Sequence, residues 1–167
     1  RDHGVDLIKI MATGGNLTKG SNPSAAQFSA GDTASIVDYA KSKRYRVAAH
    51  CHGTEGIRHA AAAGVTTIEH CSWVGPDGSR GNYDPEIAAE IATKGIWVSP
   101  TINAGWQRFR GGDGKFEERW HEVYRQLKAT GAKLIASTDA GIPNVKHEDL
   151  GKALSVFASY AELSPVE

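Results

Sequence analysis

Histidine, aspartate and lysine recur in this chain at or near the ends of short apolar runs. Val47-Ala48-Ala49-His50-Cys51-His52-Gly53 ends in two histidines, and Thr67-Ile68-Glu69-His70-Cys71 ends in a third. Leu134-Ile135-Ala136-Ser137-Thr138-Asp139 ends in an aspartate, and Leu7-Ile8-Lys9-Ile10-Met11 carries a lysine inside an apolar run. Zinc takes imidazole nitrogen and carboxylate oxygen, and a catalytic site keeps a position open for water. His50, His70 and Asp139 are therefore candidate metal ligands, and Asp139 can also accept a proton from an attacking water. A single histidine at a strand end is more often a hydrogen-bonded core residue. Three strand ends that coincide favour the metal.

Alternation along a strand places His50 and His52 on one face and Cys51 on the other. Gly53 marks the strand's end, which puts His52 at the pocket mouth and makes His50 the preferred ligand. Cys71 likewise lies opposite His70, and both cysteines read as small buried apolar residues. Lys9 is expected to face a buried side of its strand, where an unpaired ammonium is costly. Two readings of it stay open: a neutral amine that takes up carbon dioxide to form a metal-bridging carbamate, or a lysine paired with an acid. Asp139 has a plainer alternative as a turn residue before Gly141-Ile142-Pro143. The Ala12-Thr13-Gly14-Gly15-Asn16 run can offer backbone N–H groups to a carboxylate or phosphate, although it matches no phosphate-loop pattern. A phosphate-binding α/β protein is the reading that follows from that run alone. Arg108 and Arg110 read as part of a solvated loop, with a substrate carboxylate or lid contact as the alternative.

These residues need strands to hold them. The pattern predicts strands at about 5–12, 46–51, 65–70, 96–100 and 133–138. It predicts helices at about 31–43, 54–63, 85–94, 116–130 and 148–162. Ser29 with Asp32, and Asp84 before Pro85, are helix-start signals. Gly64, Gly95 and Gly131 are stops, and 101–115 reads as a mobile loop. Strictly alternating strands and helices argue for a parallel sheet with right-handed crossovers. Ligands at successive C-terminal strand ends are the pattern of a (β/α) barrel active site. The fold expected is α/β, with 1–167 as a single domain.

The composition narrows the partners. The 19 basic and 19 acidic residues cancel, which gives no support for nucleic acid or an anionic membrane surface. No apolar run approaches the ~20 residues of a membrane span. No secretory h-region is present in the sequence, so the expected location is cytoplasmic. Two cysteines are too few for a disulfide scaffold.

Taken together, Asp6-Leu7-Ile8-Lys9-Ile10-Met11-Ala12-Thr13-Gly14-Gly15, Gln27-Phe28-Ser29, Ala49-His50-Cys51-His52-Gly53-Thr54-Glu55-Gly56-Ile57, Ala62-Ala63-Gly64-Val65-Thr66-Thr67-Ile68-Glu69-His70 and Ser137-Thr138-Asp139-Ala140-Gly141 resemble the amidohydrolase superfamily. The likeness is to its imidazolonepropionase-like and Xaa-Pro dipeptidase-like branch. The resemblance implies a metal-dependent hydrolase of amide, cyclic amide or dipeptide C–N bonds, acting on a small-molecule or dipeptide substrate. It implies one or two Zn2+-like ions held by an N-carboxylated Lys9, His50, His70 and Asp139. Asp139 and His70 take the catalytic positions, and His52, Gly14 and Gly15 fall at substrate contacts. It implies a partial TIM (β/α)8 barrel, about strands four to eight. The first-strand His-x-His pair of the family has no counterpart in this chain, which looks like part of a longer enzyme. A catalytically silent metal-binding or assembly fragment is the alternative function. An open five-strand segment leaves two unpaired edges, so marginal stability, aggregation or a homo-oligomer is expected of the isolated chain.

Overall fold

A computed structural model describes residues 4–112 and 114–164. Five parallel strands run in chain order across one sheet: β1 (Leu7–Met11), β2 (Arg46–Gly53), β3 (Thr67–Val74), β4 (Trp97–Ser99) and β5 (Lys133–Leu134). Between and after them lie α1 (Ala30–Ser42), α2 (Thr54–Ala63), α3 (Pro85–Thr93), α4 (Lys115–Ala129) and α5 (Leu150–Tyr160). The sequence signals act where they were expected. The Ser29 hydroxyl accepts from Asp32 N and donates to the Asp32 carboxylate at 2.7 Å. Asp84 accepts from the amides of Glu86 and Ile87, with Pro85 opening α3. Gly64 closes α2 at φ 69°, a backbone geometry that costs glycine little.

The helices cover one face of the sheet. Val47, Ala49, Ile68 and Val98 point into them and meet Val37, Ile57, Ile87 and Leu127 in a continuous core. On α4 the buried residues Trp120, Val123, Tyr124 and Leu127 follow the helical period, so one stripe packs and the rest is solvated. Full burial of an Ile or Val side chain contributes roughly 1.5–3 kcal/mol over leaving it exposed. That helix-covered layer is what holds the strand ends in place.

The opposite face differs. Leu7, Lys9 and Met11 of β1 alternate outward and are all exposed, while Ile10 is buried. Trp97 and Ile135 are exposed on the same face, at 40% and 46%, and the Lys133 ammonium sits over the Trp97 ring. Among the described residues nothing covers this side of β1, β4 and β5. The expectation that Lys9 is buried is therefore corrected: its face of the strand is open.

Three further differences have physical causes. β5 is only two residues long, and 135–139 continue as irregular chain rather than strand. β3 runs on to Val74, four residues past the expected end, through a bulge in which β2 advances from Cys51 to Gly53 while β3 advances from His70 to Val74. His70, Cys71 and Trp73 take positive φ there, at 67°, 50° and 51°. The 101–115 segment contains a 3-10 helix, Ala104–Phe109. Trp106 anchors it edge-on against Tyr160 and beside Trp120, while Arg108 and Arg110 stay exposed, as expected of a solvated loop. Arg110, read as part of that loop, pairs with Glu117. Among the described residues no helix is long and apolar enough to cross a membrane.

Candidate active site

At the C-terminal strand ends, His50, His52 and His70 converge. One nitrogen from each ring lies within 4.8 Å of the others. His50 and His52 leave β2 on the same face, as alternation requires, with their rings 4.7 Å apart. The bulge in β3 turns His70 toward them, and its ring stacks on His52 at 4.4 Å. All three side chains are buried. Lys9, Gly15 and Asp139 line the same cavity, of about 610 Å³. Asp139 sits at φ 57°, and its charge is felt at His50.

The hydrogen bonds settle which ring nitrogens carry protons. The Gly14 carbonyl can only accept, so His50 Nε2, at 3.2 Å, donates to it and Nδ1 keeps its lone pair. Thr101 Oγ1 donates to the Pro100 carbonyl at 2.7 Å. His70 Nδ1 must therefore donate to Thr101 Oγ1 at 2.8 Å, which leaves Nε2 with the lone pair. His52 is different. The Asn16 amide nitrogen donates to His52 Nε2 at 3.0 Å, and His52 Nδ1 then donates to Ser72 Oγ at 2.8 Å. His50 and His70 each present a free lone pair, and His52 presents none.

Electrostatics agrees. Burial lowers the His50 pKa below its ordinary value, helped by the Lys9 ammonium and opposed by the Gly14 bond and by Asp139 and Glu69. Burial, then His50 and Arg80, push His52 down to about 3. His70 falls further still, through burial and then its histidine neighbours and Lys9. All three rings are neutral near pH 7, the form that ligates metal. Cys51 and Cys71 lie in the core, and burial drives both thiols well up. They remain protonated apolar packing, as their alternation implied.

The glycines serve the loop. Gly14 N donates to Ala25 O at 3.2 Å, and Gly15 N to Ser21 Oγ at 2.8 Å. Neither amide is spare, so the expectation of free backbone donors for a carboxylate or phosphate is corrected. The pair instead brings chain close to chain: a Cβ on Gly14 would lie 2.2 Å from Asn22 O.

Several residues of the site were not singled out from the sequence. Ser72 lies two residues beyond His70, a spacing that could have flagged it. Thr101, Asn16 and Arg80 reach the histidines only through the folded loops. Glu69 pairs in register with His50 and accepts from Thr67 Oγ1 at 2.6 Å.

Comparison with known proteins sets this geometry in a family. The amidohydrolase family model matches residues 1–162. Ochratoxinase of Aspergillus niger is 33% identical over 121 residues, which is 72% of this chain and 23% of that enzyme. The crystal structure of A. niger ochratoxinase superposes with a TM-score of 0.77 at 24% identity, covering 99% of this chain and 37% of that one. A prolidase-like structure from Bifidobacterium longum gives 0.74 at 26% identity, covering 99% and 42%. A Xaa-Pro dipeptidase structure gives 0.67 at 23%, covering 97% and 45%. The chain thus spans less than half of each of these relatives. The family match along nearly its whole length places it plainly: the chain belongs to the amidohydrolase family.

Proposed function

We propose that this chain carries the metal-binding and proton-handling part of a metal-dependent hydrolase that cleaves amide, cyclic amide or dipeptide C–N bonds. Its five strands then correspond to strands four to eight of a (β/α)8 barrel. The observation that carries the reading is the pair of unengaged lone pairs, His50 Nδ1 and His70 Nε2, on adjacent strand ends beside Asp139.

The donor set fits a zinc-like ion. Zinc–imidazole bonds are about 2.1 Å, so two nitrogens on one ion stand roughly 3.4 Å apart. One nitrogen of each of the three rings already lies within 4.8 Å of the others, so the rings are close enough for side-chain rotations to bring donors onto one ion. His50, His70 and Asp139 would hold the ion, with Lys9, as its carbamate, able to join them from β1. When bound, the ion supplies Lewis acidity and lowers the pKa of water to about 7.

The chain's own residues do the rest. Asp139, partly buried at the cavity wall, accepts the proton from the attacking water at a carboxylate oxygen and passes it to the leaving nitrogen. Ser72 and Asn16 hold His52 from both ring nitrogens, which orients it at the substrate rather than at the metal. Burial of the three rings keeps them neutral and keeps water from competing for their lone pairs.

Native mass spectrometry of the purified chain tests the reading. Bound zinc, with a carbamate-sized mass increment lost in Lys9→Ala, supports it. A chain that takes up no zinc in the presence of excess metal defeats it. In the intact enzyme Asp139→Asn should abolish turnover; retained turnover would remove Asp139 from the proton transfer.

A further inference from the structure

One histidine outside the cavity makes two bonds that a neutral ring cannot make together. His59 lies on α2 with its side chain 13% exposed. Its Nδ1 is 3.1 Å from the Phe28 carbonyl oxygen, and its Nε2 is 3.0 Å from Glu55 Oε1. A carbonyl and an ionised carboxylate only accept. Both ring nitrogens must therefore donate, and the ring that makes both bonds is the imidazolium.

Phe28 ends the limb by which the 13–28 loop returns toward α1. That limb is paired to the end of β1: Thr13 bridges to Ala26, Gly14 N donates to Ala25 O at 3.2 Å, and Gln27 N donates to Ala12 O at 2.8 Å. The outgoing limb carries Gly15, Asn16, Leu17 and Thr18, which line the histidine cavity. His59 thus ties the base of a cavity-lining loop to α2.

The charges around α2 leave Glu55 as the one that acts on His59 directly. Glu55 is shared with Arg58, whose Nε lies 3.6 Å from Oε2 and whose Nη2 pairs with Asp84 at 2.7 Å. Asp32, in the first turn of α1, accepts from Ser29 Oγ. Lys41 of α1 donates to Ala63 O, and Lys94, which also pairs with Glu90 of α3, donates to Ala61 O and Ala62 O, all at the far end of α2. Asp38 and Glu86 are exposed, as is Lys19 in the loop itself.

Loss of one proton leaves a ring lone pair facing one of the two acceptors. They are unequal, because a hydrogen bond to an ionised group is roughly twice as strong as a neutral one. The proton that stays is the one on Nε2, against Glu55, and Phe28 O loses the donor that holds it. We infer that His59 is a proton-operated latch: the charged ring holds the return limb of the 13–28 loop on α2, and the neutral ring, protonated only on Nε2, releases it. The latch needs no metal and is separate from the hydrolase reading.

The test is NMR on the metal-free full chain. Ring-nitrogen spectra should show both His59 nitrogens protonated at about pH 5.5 and Nδ1 bare at about pH 9. Over that range the exchange protection of the Gly14 and Gln27 amides should fall roughly threefold to tenfold, the scale of one neutral hydrogen bond. Glu55→Gln is the discriminating variant. Its side-chain amide can donate to Nε2, so the neutral ring keeps its proton on Nδ1 and Phe28 stays held. Protection in Glu55→Gln should be the same at both ends of the range, and so should that in His59→Gln, which has no proton to lose. A neutral His59 that keeps Nδ1 protonated in wild type, wild-type protection that does not change with pH, or an equal fall in Glu55→Gln would each overturn the latch.

Discussion

His70 Nδ1 donates to Thr101 Oγ1 at 2.8 Å, and Thr101 is held for that task at φ 57°. A β-branched residue in the left-handed region is strained, by about 1–3 kcal/mol. The surroundings enforce it: Thr101 N donates to Ser137 Oγ at 3.0 Å, and its hydroxyl hydrogen is committed to Pro100 O. The committed hydroxyl, held in place by this strained backbone, sets the His70 tautomer. Thr101→Val keeps the shape and removes the acceptor. Zinc titration of this variant should show affinity lowered by about 10–100-fold, the usual effect of losing a partner of a ligating histidine. Unchanged affinity would mean the tautomer is set elsewhere.

The unequal hydrogen bonding of the three histidines makes a second prediction. His50→Ala and His70→Ala each remove a free lone pair and should abolish stoichiometric zinc binding. His52→Ala removes a ring whose nitrogens are both already engaged, by Asn16 and Ser72. It should retain zinc within about tenfold of wild type, since it acts on the metal only through its neighbours. Equal loss in all three variants, read by metal content after dialysis, would show that His52 is a ligand after all.

The helices and the face on which His50 and His52 stand were legible because their causes are local. Ser29, Asp84 and Gly64 cap their helices through bonds within a few residues, and period-two alternation puts Cys51 in the core. The turn of His70 was not legible. Positive φ at His70, Cys71 and Trp73 is imposed by the bulge against β2 and by burial of Trp73, neither of which has a glycine to announce it. Lys9 was misjudged for a related reason. An apolar run indicates two covered faces, yet only Ile8 and Ile10 pack against helices while Leu7 and Met11 stay exposed with Lys9. Arg80 and Thr101 enter the site from loops, where no periodicity points to them.

Acid should weaken the metal-free protein through the same histidines. Folding lowers the His52 pKa from 6.5 to about 3, with His70 lowered further, chiefly by burial. The unfolded chain therefore takes up protons first as pH falls. The contribution of the neutral rings is complete above about pH 6.5 and is lost progressively as pH drops toward the folded values. Each ring adds a slope on the order of 1 kcal/mol per pH unit inside that window. Urea midpoints measured across it should fall less steeply for His52→Gln than for wild type. Parallel curves would show that the ring's burial is not what couples stability to pH.

Gly56 ties helix packing to the site. Its place on α2 meets the end of β1 so closely that an added Cβ would stand 2.2 Å from Thr13 Cγ2 and 3.2 Å from Ala12 O. Thr13 is not a passive neighbour, because its hydroxyl accepts from His52 N at 2.9 Å and so fixes the backbone that carries the ring. Alanine favours a helix over glycine by about 1 kcal/mol, so propensity alone says Gly56→Ala stabilises. The clash opposes this: overpacking a tight contact costs about 1–3 kcal/mol, and here part of the obstruction is backbone. The net expected is destabilisation, together with weaker zinc binding as Thr13 is pushed from His52. Thermal melts and zinc titration on Gly56→Ala and on the double variant Gly56→Ala/Thr13→Ser check it. Removing the Thr13 methyl should recover most of both losses, whereas a stabilised Gly56→Ala would show that α2 shifts freely and does not position the histidines.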